Sequence, residues 1–117
     1  MKINNVELED MDIMDVDVAE KYEVALGKVQ NEAQKIKETE GITLSSIIRG
    51  QCNAVFDFFN NICGDGTDKK IFGNKVNLII CLKAFDEVIE YVNEQQKEIE
   101  KLTNKYSPNR AQKRAQK

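Results

Sequence analysis

The residues that could do chemistry are few. Three cysteines, Cys52, Cys63 and Cys81, are the only thiols, and there is no histidine. Without histidine the chain lacks the commonest general base and the commonest metal ligand. The gaps between the cysteines do not match the paired spacing of a zinc site. Cys52 and Cys81 fall among apolar residues at helical spacing, surroundings that raise a thiol pKa rather than lower it. They read as small core hydrophobes, and three reduced thiols imply a reducing compartment. The loop Gly64-Asp65-Gly66-Thr67 has the look of a ligand loop. A calcium loop needs further oxygen ligands and a terminal Glu, and a phosphate loop needs a Gly-Lys-Ser/Thr ending. Asp68-Lys69-Lys70 follows instead, so the segment reads as a turn between helices. Carboxylates are plentiful but spread over solvated faces, and no pair stands out for acid-base work. The reading is of no enzyme, no metal and no cofactor.

The chain that must position these residues has 117 of them, 41% hydrophobic and 32% charged, with a net charge of −3. That suits one folded domain with a solvated surface. No apolar stretch has the length of a signal peptide core or a membrane span; the longest, Val76 to Leu82, is broken by Asn77. A location in the cytoplasm, away from membranes, is the expectation.

The opening stretch places Ile3, Val6 and Leu8 around an Asn4-Asn5 turn signal, which predicts a short hairpin or an edge strand. An acidic lead-in follows to residue 16, read as extended and lying on the surface. Asp17 is the expected cap of the first helix. From there Val18, Tyr22, Ala25, Leu26, Val29, Ala33 and Ile36 fill an arc of about 100°, with Gly41 as a stop. The second periodic segment runs from Thr43 to Ile62. Its apolar residues span roughly 180°, wider than packing on one neighbour requires. Either this helix is central or part of the stripe binds a partner. Ile47 and Phe58 lie at one border and Phe56 at the other. Thr67 caps a short turn over Asp68–Phe72, which Ile71 and Phe72 pin to the core before Gly73 ends it.

Asn77 caps the last helix. Its stripe of Leu78, Leu82, Phe85, Ile89, Val92, Ile99 and Leu102 drifts backward by roughly 20° per heptad, as a 3.5-residue repeat does. Phe85, Val88, Val92, Ile99 and Leu102 fit alternating heptad positions, with Gln95 between them. Two outcomes follow: packing on its own domain and then running into solvent near Gln95, or pairing with another helix, including self-association. The tail from Tyr106 carries Pro108, Arg110, Lys113, Arg114 and Lys117 and no acid. It reads as disordered and basic. The acidic body and the lack of interleaved aromatics argue against nucleic acid.

The stretch Val55-Phe-Asp-Phe-Phe-Asn-Asn-Ile-Cys-Gly-Asp-Gly-Thr-Asp-Lys-Lys-Ile-Phe-Gly73 resembles a segment of small tail assembly proteins from phages and prophages of Gram-positive bacteria. In those proteins an aromatic-rich helix leads into a Gly-x-Gly-Thr turn and an Ile/Leu-Phe-Gly element. The opening Met1-Lys-Ile-Asn-Asn-Val-Glu-Leu8 and the closing Tyr106-Ser-Pro-Asn-Arg-Ala-Gln-Lys-Arg-Ala-Gln116 are similar to that family's ends. The resemblance implies a tail assembly chaperone, which coats the long helical tape measure protein until tube subunits replace it.

The expectation is therefore a mostly α protein with three main helices and a possible N-terminal hairpin. The acidic lead-in covers 1–16, the helical domain 17–105 and the disordered basic tail 106–117. The partner contacts expected are Ile47, Phe56, Phe58, Ile71, Phe72, Val92 and Ile99. The alternatives are a structural tail or head-tail connector component, and a regulatory or nucleic-acid-binding module.

Overall fold

The computed structural model describes residues 1–105; the expectation of a disordered basic tail falls on 106–117, outside the described residues. The fold is mostly helical, with a two-strand antiparallel sheet at its start. Strands β1 (Lys2–Ile3) and β2 (Val6–Glu7) pair Lys2 with Glu7 and Ile3 with Val6. Asn4 and Asn5 join them with φ of 51° and 63°, the conformation a two-residue hairpin turn demands and one that asparagine tolerates. Helices α1 (Val16–Glu38), α2 (Leu44–Cys63), α3 (Thr67–Phe72) and α4 (Leu78–Lys105) follow.

The caps explain most of the boundaries. The Thr43 hydroxyl accepts from the Ser46 amide at 3.2 Å, and the Asn77 side chain accepts from the Ile80 amide at 3.1 Å, each taking up a donor the first helical turn leaves free. The start of α1 needs a correction. Asp15, not Asp17, is its cap, accepting from the Asp17 amide at 3.0 Å. Asp17 then sits in the first turn, where the helix dipole favours an anion. Before α3, Gly66 takes φ 89°, a left-handed conformation that favours glycine. The Asn60 side chain accepts from the Asp68 amide at 3.0 Å, so α2 helps to start α3.

Helix α2 is the centre of the molecule, packed by α1, α3 and α4. This accounts for its wide apolar arc. Gly50 allows the close approach of α1: a Cβ there would stand 3.3 Å from Glu32 Oε1 and 3.4 Å from Ile36 Cδ1. The core joins Tyr22 and Ala25 of α1, Cys52, Val55, Phe58 and Phe59 of α2, Ile71 and Phe72 of α3, and Cys81, Ala84, Val88 and Val92 of α4.

The acidic lead-in is not a surface segment, contrary to the sequence reading. Leu8, Met11 and Ile13 are buried in the core together with Met1 and Ile3. Its carboxylates Glu7, Glu9, Asp10 and Asp12 stay exposed, as do Met14 and Val16 at its end. From Leu8 to Ile13 the apolar residues turn inward while the acids stay in water, and that sorting has no helical period to reveal it. The molecule is elongated, 55 × 34 × 22 Å. Helix α4, with 28 residues, is about 42 Å long at 1.5 Å per residue and supplies much of that length.

Candidate interaction surfaces

The seven residues expected at a partner surface divide. Phe58 was placed at a border of the α2 stripe and is instead buried, 1% exposed. The reason is that both neighbouring helices meet there. Its ring stands 6.0 Å from Tyr22 of α1, 5.5 Å from Phe59 and 5.0 Å from Phe85 of α4, all edge-on. Ile71, Phe72 and Val92 are buried as well. Phe72 packs between Phe56, at 5.2 Å, and Phe59, at 5.8 Å. In this fold these four side chains hold the chain together and are not open to a partner. Ile47 and Phe56 are half-buried. Ile99 is exposed, at 37%.

Exposed apolar side chains stand singly at Met14, Val16, Val24 and Leu44, and cluster at the two ends of α4. Val76, Ile79 and Leu82 are exposed around its first turns, Ile79 by 65%. Leu78, Ile80 and Phe85 beside them are partly buried. The sequence did carry a signal for this. Leu78-Ile-Ile-Cys-Leu82 is apolar over more than a full turn, and a helix packed on one side cannot bury such a run entirely. At the other end Gln95 is the last residue with partial cover. Residues 96–105 are exposed on every side, with Ile99 and Leu102 among them. This arm is the predicted run into solvent near Gln95, and it carries the heptad-spaced pair with it.

The middle of α4 holds the N-terminal segment. The Gln95 amide donates to the Met11 carbonyl at 2.7 Å, and its oxygen accepts from the Ile13 amide at 2.9 Å. Two turns earlier the Glu87 carboxylate accepts from the Asn4 amide at 3.1 Å. The Asn4 side chain donates to the Ile71 carbonyl at 3.0 Å.

The cysteines behave as the sequence suggested. Cys52 and Cys81 are fully buried and none of the three is in a disulfide. Burial and a hydrogen bond with Cys52 push the Cys81 thiol up to about 12. Burial and the nearby Glu9 carboxylate raise the Cys63 thiol. A raised thiol pKa disfavours the thiolate, the reactive form. Between α1 and α2 lies a polar trough of about 540 Å³ bordered by Lys28, Asn31, Glu32, Lys35, Asp57 and Asn61. Apart from the half-covered Glu32 these side chains are exposed, so the trough is a solvated seam. Among the described residues no cluster of three or more His, Cys, Asp or Glu could hold a metal ion. No described helix is long and apolar enough to cross a membrane.

One family model matches the chain, that of the Family of unknown function (DUF6673), over residues 4–117. No curated protein and no solved structure matches it.

Proposed function

The chain belongs to the DUF6673 family, and we propose that it works by binding other proteins, as a tail assembly chaperone that covers the helical tape measure protein of a phage or prophage. The observation that carries the protein-binding part is the pair of uncovered apolar patches at the ends of α4, Val76, Ile79 and Leu82 at one and Ile99 and Leu102 at the other. Ile99 and Leu102 are three residues apart on a bare helical arm, where they are neighbours on one face. Such an arm presents apolar side chains to an amphipathic helix in the helix-in-groove or coiled-coil manner. The tape measure as occupant comes from the resemblance of residues 55–73 and of the two ends of the chain to tail assembly proteins. A long helical rod offers many repeated apolar stripes, and many weak copies bound along it can be displaced one at a time, as reversible covering requires.

The test is co-expression with a long helical tape measure protein from the same genome, followed by a pull-down and a solubility assay. The proposal expects that protein to become soluble only with several copies of this chain bound, and expects Ile79→Ser with Leu82→Ser, or Ile99→Ser with Leu102→Ser, to lose it. No association in any arm would refute the chaperone reading. Presence of the chain in purified particles would favour a structural tail component instead.

A further inference from the structure

We propose that the exposed arm of α4, residues 96–105, pairs with the same arm of a second copy of this chain, antiparallel and across a two-fold axis. This rests on the protein-binding reading above and divides its two patches: the arm takes a second copy, and Val76, Ile79 and Leu82 are left for the rod. The arm is the core stripe of α4 carried past the body. Val88, Val92, Gln95, Ile99 and Leu102 follow one another at spacings of four, three, four and three residues, which keeps them within an arc of about 80° on one helix face. Val88 and Val92 are buried and Gln95 is half-covered, whereas Ile99 and Leu102 are exposed. Beyond Gln95 the face keeps the chemistry of the core, and no element of the described chain lies on it.

What stands at the base of the arm selects the occupant. Gln95 holds the backbone of Met11 and Ile13 on this same face, and the chain then turns, the Asp15 amide donating to the Asp12 carbonyl at 3.1 Å. That turn closes the seam at Gln95. A long continuous helix laid along Ile99 and Leu102 would run into it, whereas a helix that ends beside Gln95 would not. The arm of a second copy supplies such an end, since α4 ends at Lys105, ten residues past Gln95. With Ile99 of each copy facing Leu102 of the other, the two arms overlap along their full length, and residue 105 of one lies level with residue 96 of the other. Heptad-spaced apolar layers of this kind interlock as knobs into holes. A parallel pair would bring two turns to the same level and hold the arms apart. Charge points to the same arrangement. From residue 97 onward the sequence carries seven basic residues and two acids. The turn and the helix start beside it carry Asp12, Asp15 and Asp17, all exposed, with no base between them. Antiparallel pairing sets the basic end of each chain against the acidic turn of the other, and parallel pairing sets basic against basic. The exposed side chains of Met14 and Val16 rise from that turn, where the incoming helix end covers them. An arm of ten residues is well short of the roughly 20–30 residues a side of a stable complex, so the pair is weak and forms and parts with concentration.

Sedimentation equilibrium of the full chain tests this. The mass should rise from 13.4 kDa towards twice that value between about 10 μM and about 1 mM, the range of a small interface. Ile99→Ser with Leu102→Ser should stay monomeric throughout, although both residues are exposed and the helices remain folded. Ile79→Ser with Leu82→Ser should pair as the native chain does. Orientation is read from spin labels on Asp86→Cys in a Cys63→Ser background, Cys63 being the exposed native thiol. Antiparallel arms hold the two labels about 45 Å apart at 1.5 Å per residue, and parallel helices in contact would bring them within about 25 Å. The proposal is overturned if the native chain is monomeric at every concentration, if the arm variant pairs as well as the native chain, if the variant at the start of α4 abolishes pairing, or if the labels come within the shorter distance. These readouts use this chain alone. A chain that pairs but fails the co-expression test would refute the chaperone reading and leave the pair standing, and a monomeric chain that passes it would do the reverse.

Discussion

Phe58 joins three helices in one aromatic cluster, and Phe58→Ala tests that packing directly. Its ring is 1% exposed and lies edge-on to Tyr22, Phe59 and Phe85, which brings α1, α2 and α4 to one point. Truncating a buried phenylalanine to alanine costs about 3–5 kcal/mol, from lost transfer energy and the cavity left behind. Each edge-on aromatic pair contributes about 0.5–1.5 kcal/mol of the interaction lost, so the upper half of that range is expected. A domain of this size is stable by roughly 5–15 kcal/mol. The variant therefore gives up between a quarter and nearly all of its stability. Urea unfolding followed by circular dichroism at 222 nm measures this directly. The midpoint should fall sharply with the slope unchanged, since a changed slope would point to a different unfolded or native ensemble. A loss below about 1 kcal/mol, the range of a surface substitution, would refute the packing described, above all if the variant also lost its partner. In that event Phe58 would be the surface anchor the sequence reading took it for.

Ile79→Ser combined with Leu82→Ser should do the opposite, abolishing association in a pull-down while shifting unfolding by about 1 kcal/mol or less, because both residues are exposed. Gly66→Ala should destabilise the protein by about 1–2 kcal/mol in the same urea assay, since its φ of 89° forces an L side chain into the left-handed region. Stability should also fall in alkali. The folded chain holds the Cys81 proton up to about 12, above the usual 9. Unfolding therefore releases a proton between those values, and the contribution present below pH 9 is lost as pH rises through that window. Ultraviolet titration of the thiolate should show Cys81 ionising only together with unfolding, and a Cys81 thiolate formed in the folded protein near pH 9 would contradict the burial.

Much of the local structure was legible because it is local. Thr43 and Asn77 cap their helices through hydrogen bonds that close within three residues, and Gly64, Gly66 and Gly73 mark turns whose positive φ belongs to the glycine itself. Periodicity likewise located the helices, since a stripe at 3.6-residue spacing has one inward face whatever it meets. It could not say what each stripe would meet. The wide arc of α2 suited either a central helix or a binding face, and only the arrival of α1 and α4 on either side buried Phe58 and made it central. The reverse happened at α4, where Val76, Ile79 and Leu82 look like core from composition and remain exposed because no element of the described chain covers that side. The burial of the N-terminal segment was hidden for a third reason. Leu8, Met11 and Ile13 have no regular period, and the backbone of Met11 and Ile13 is held by Gln95, more than eighty residues further along the chain. Sequence by itself determined which segments are helical and where the chain turns between them, to within a residue or two at the starts of α1 and α3, because those energies are set by neighbours in the chain. Tertiary structure decided which apolar side chains are core and which are surface, because burial depends on what other elements bring to the same place.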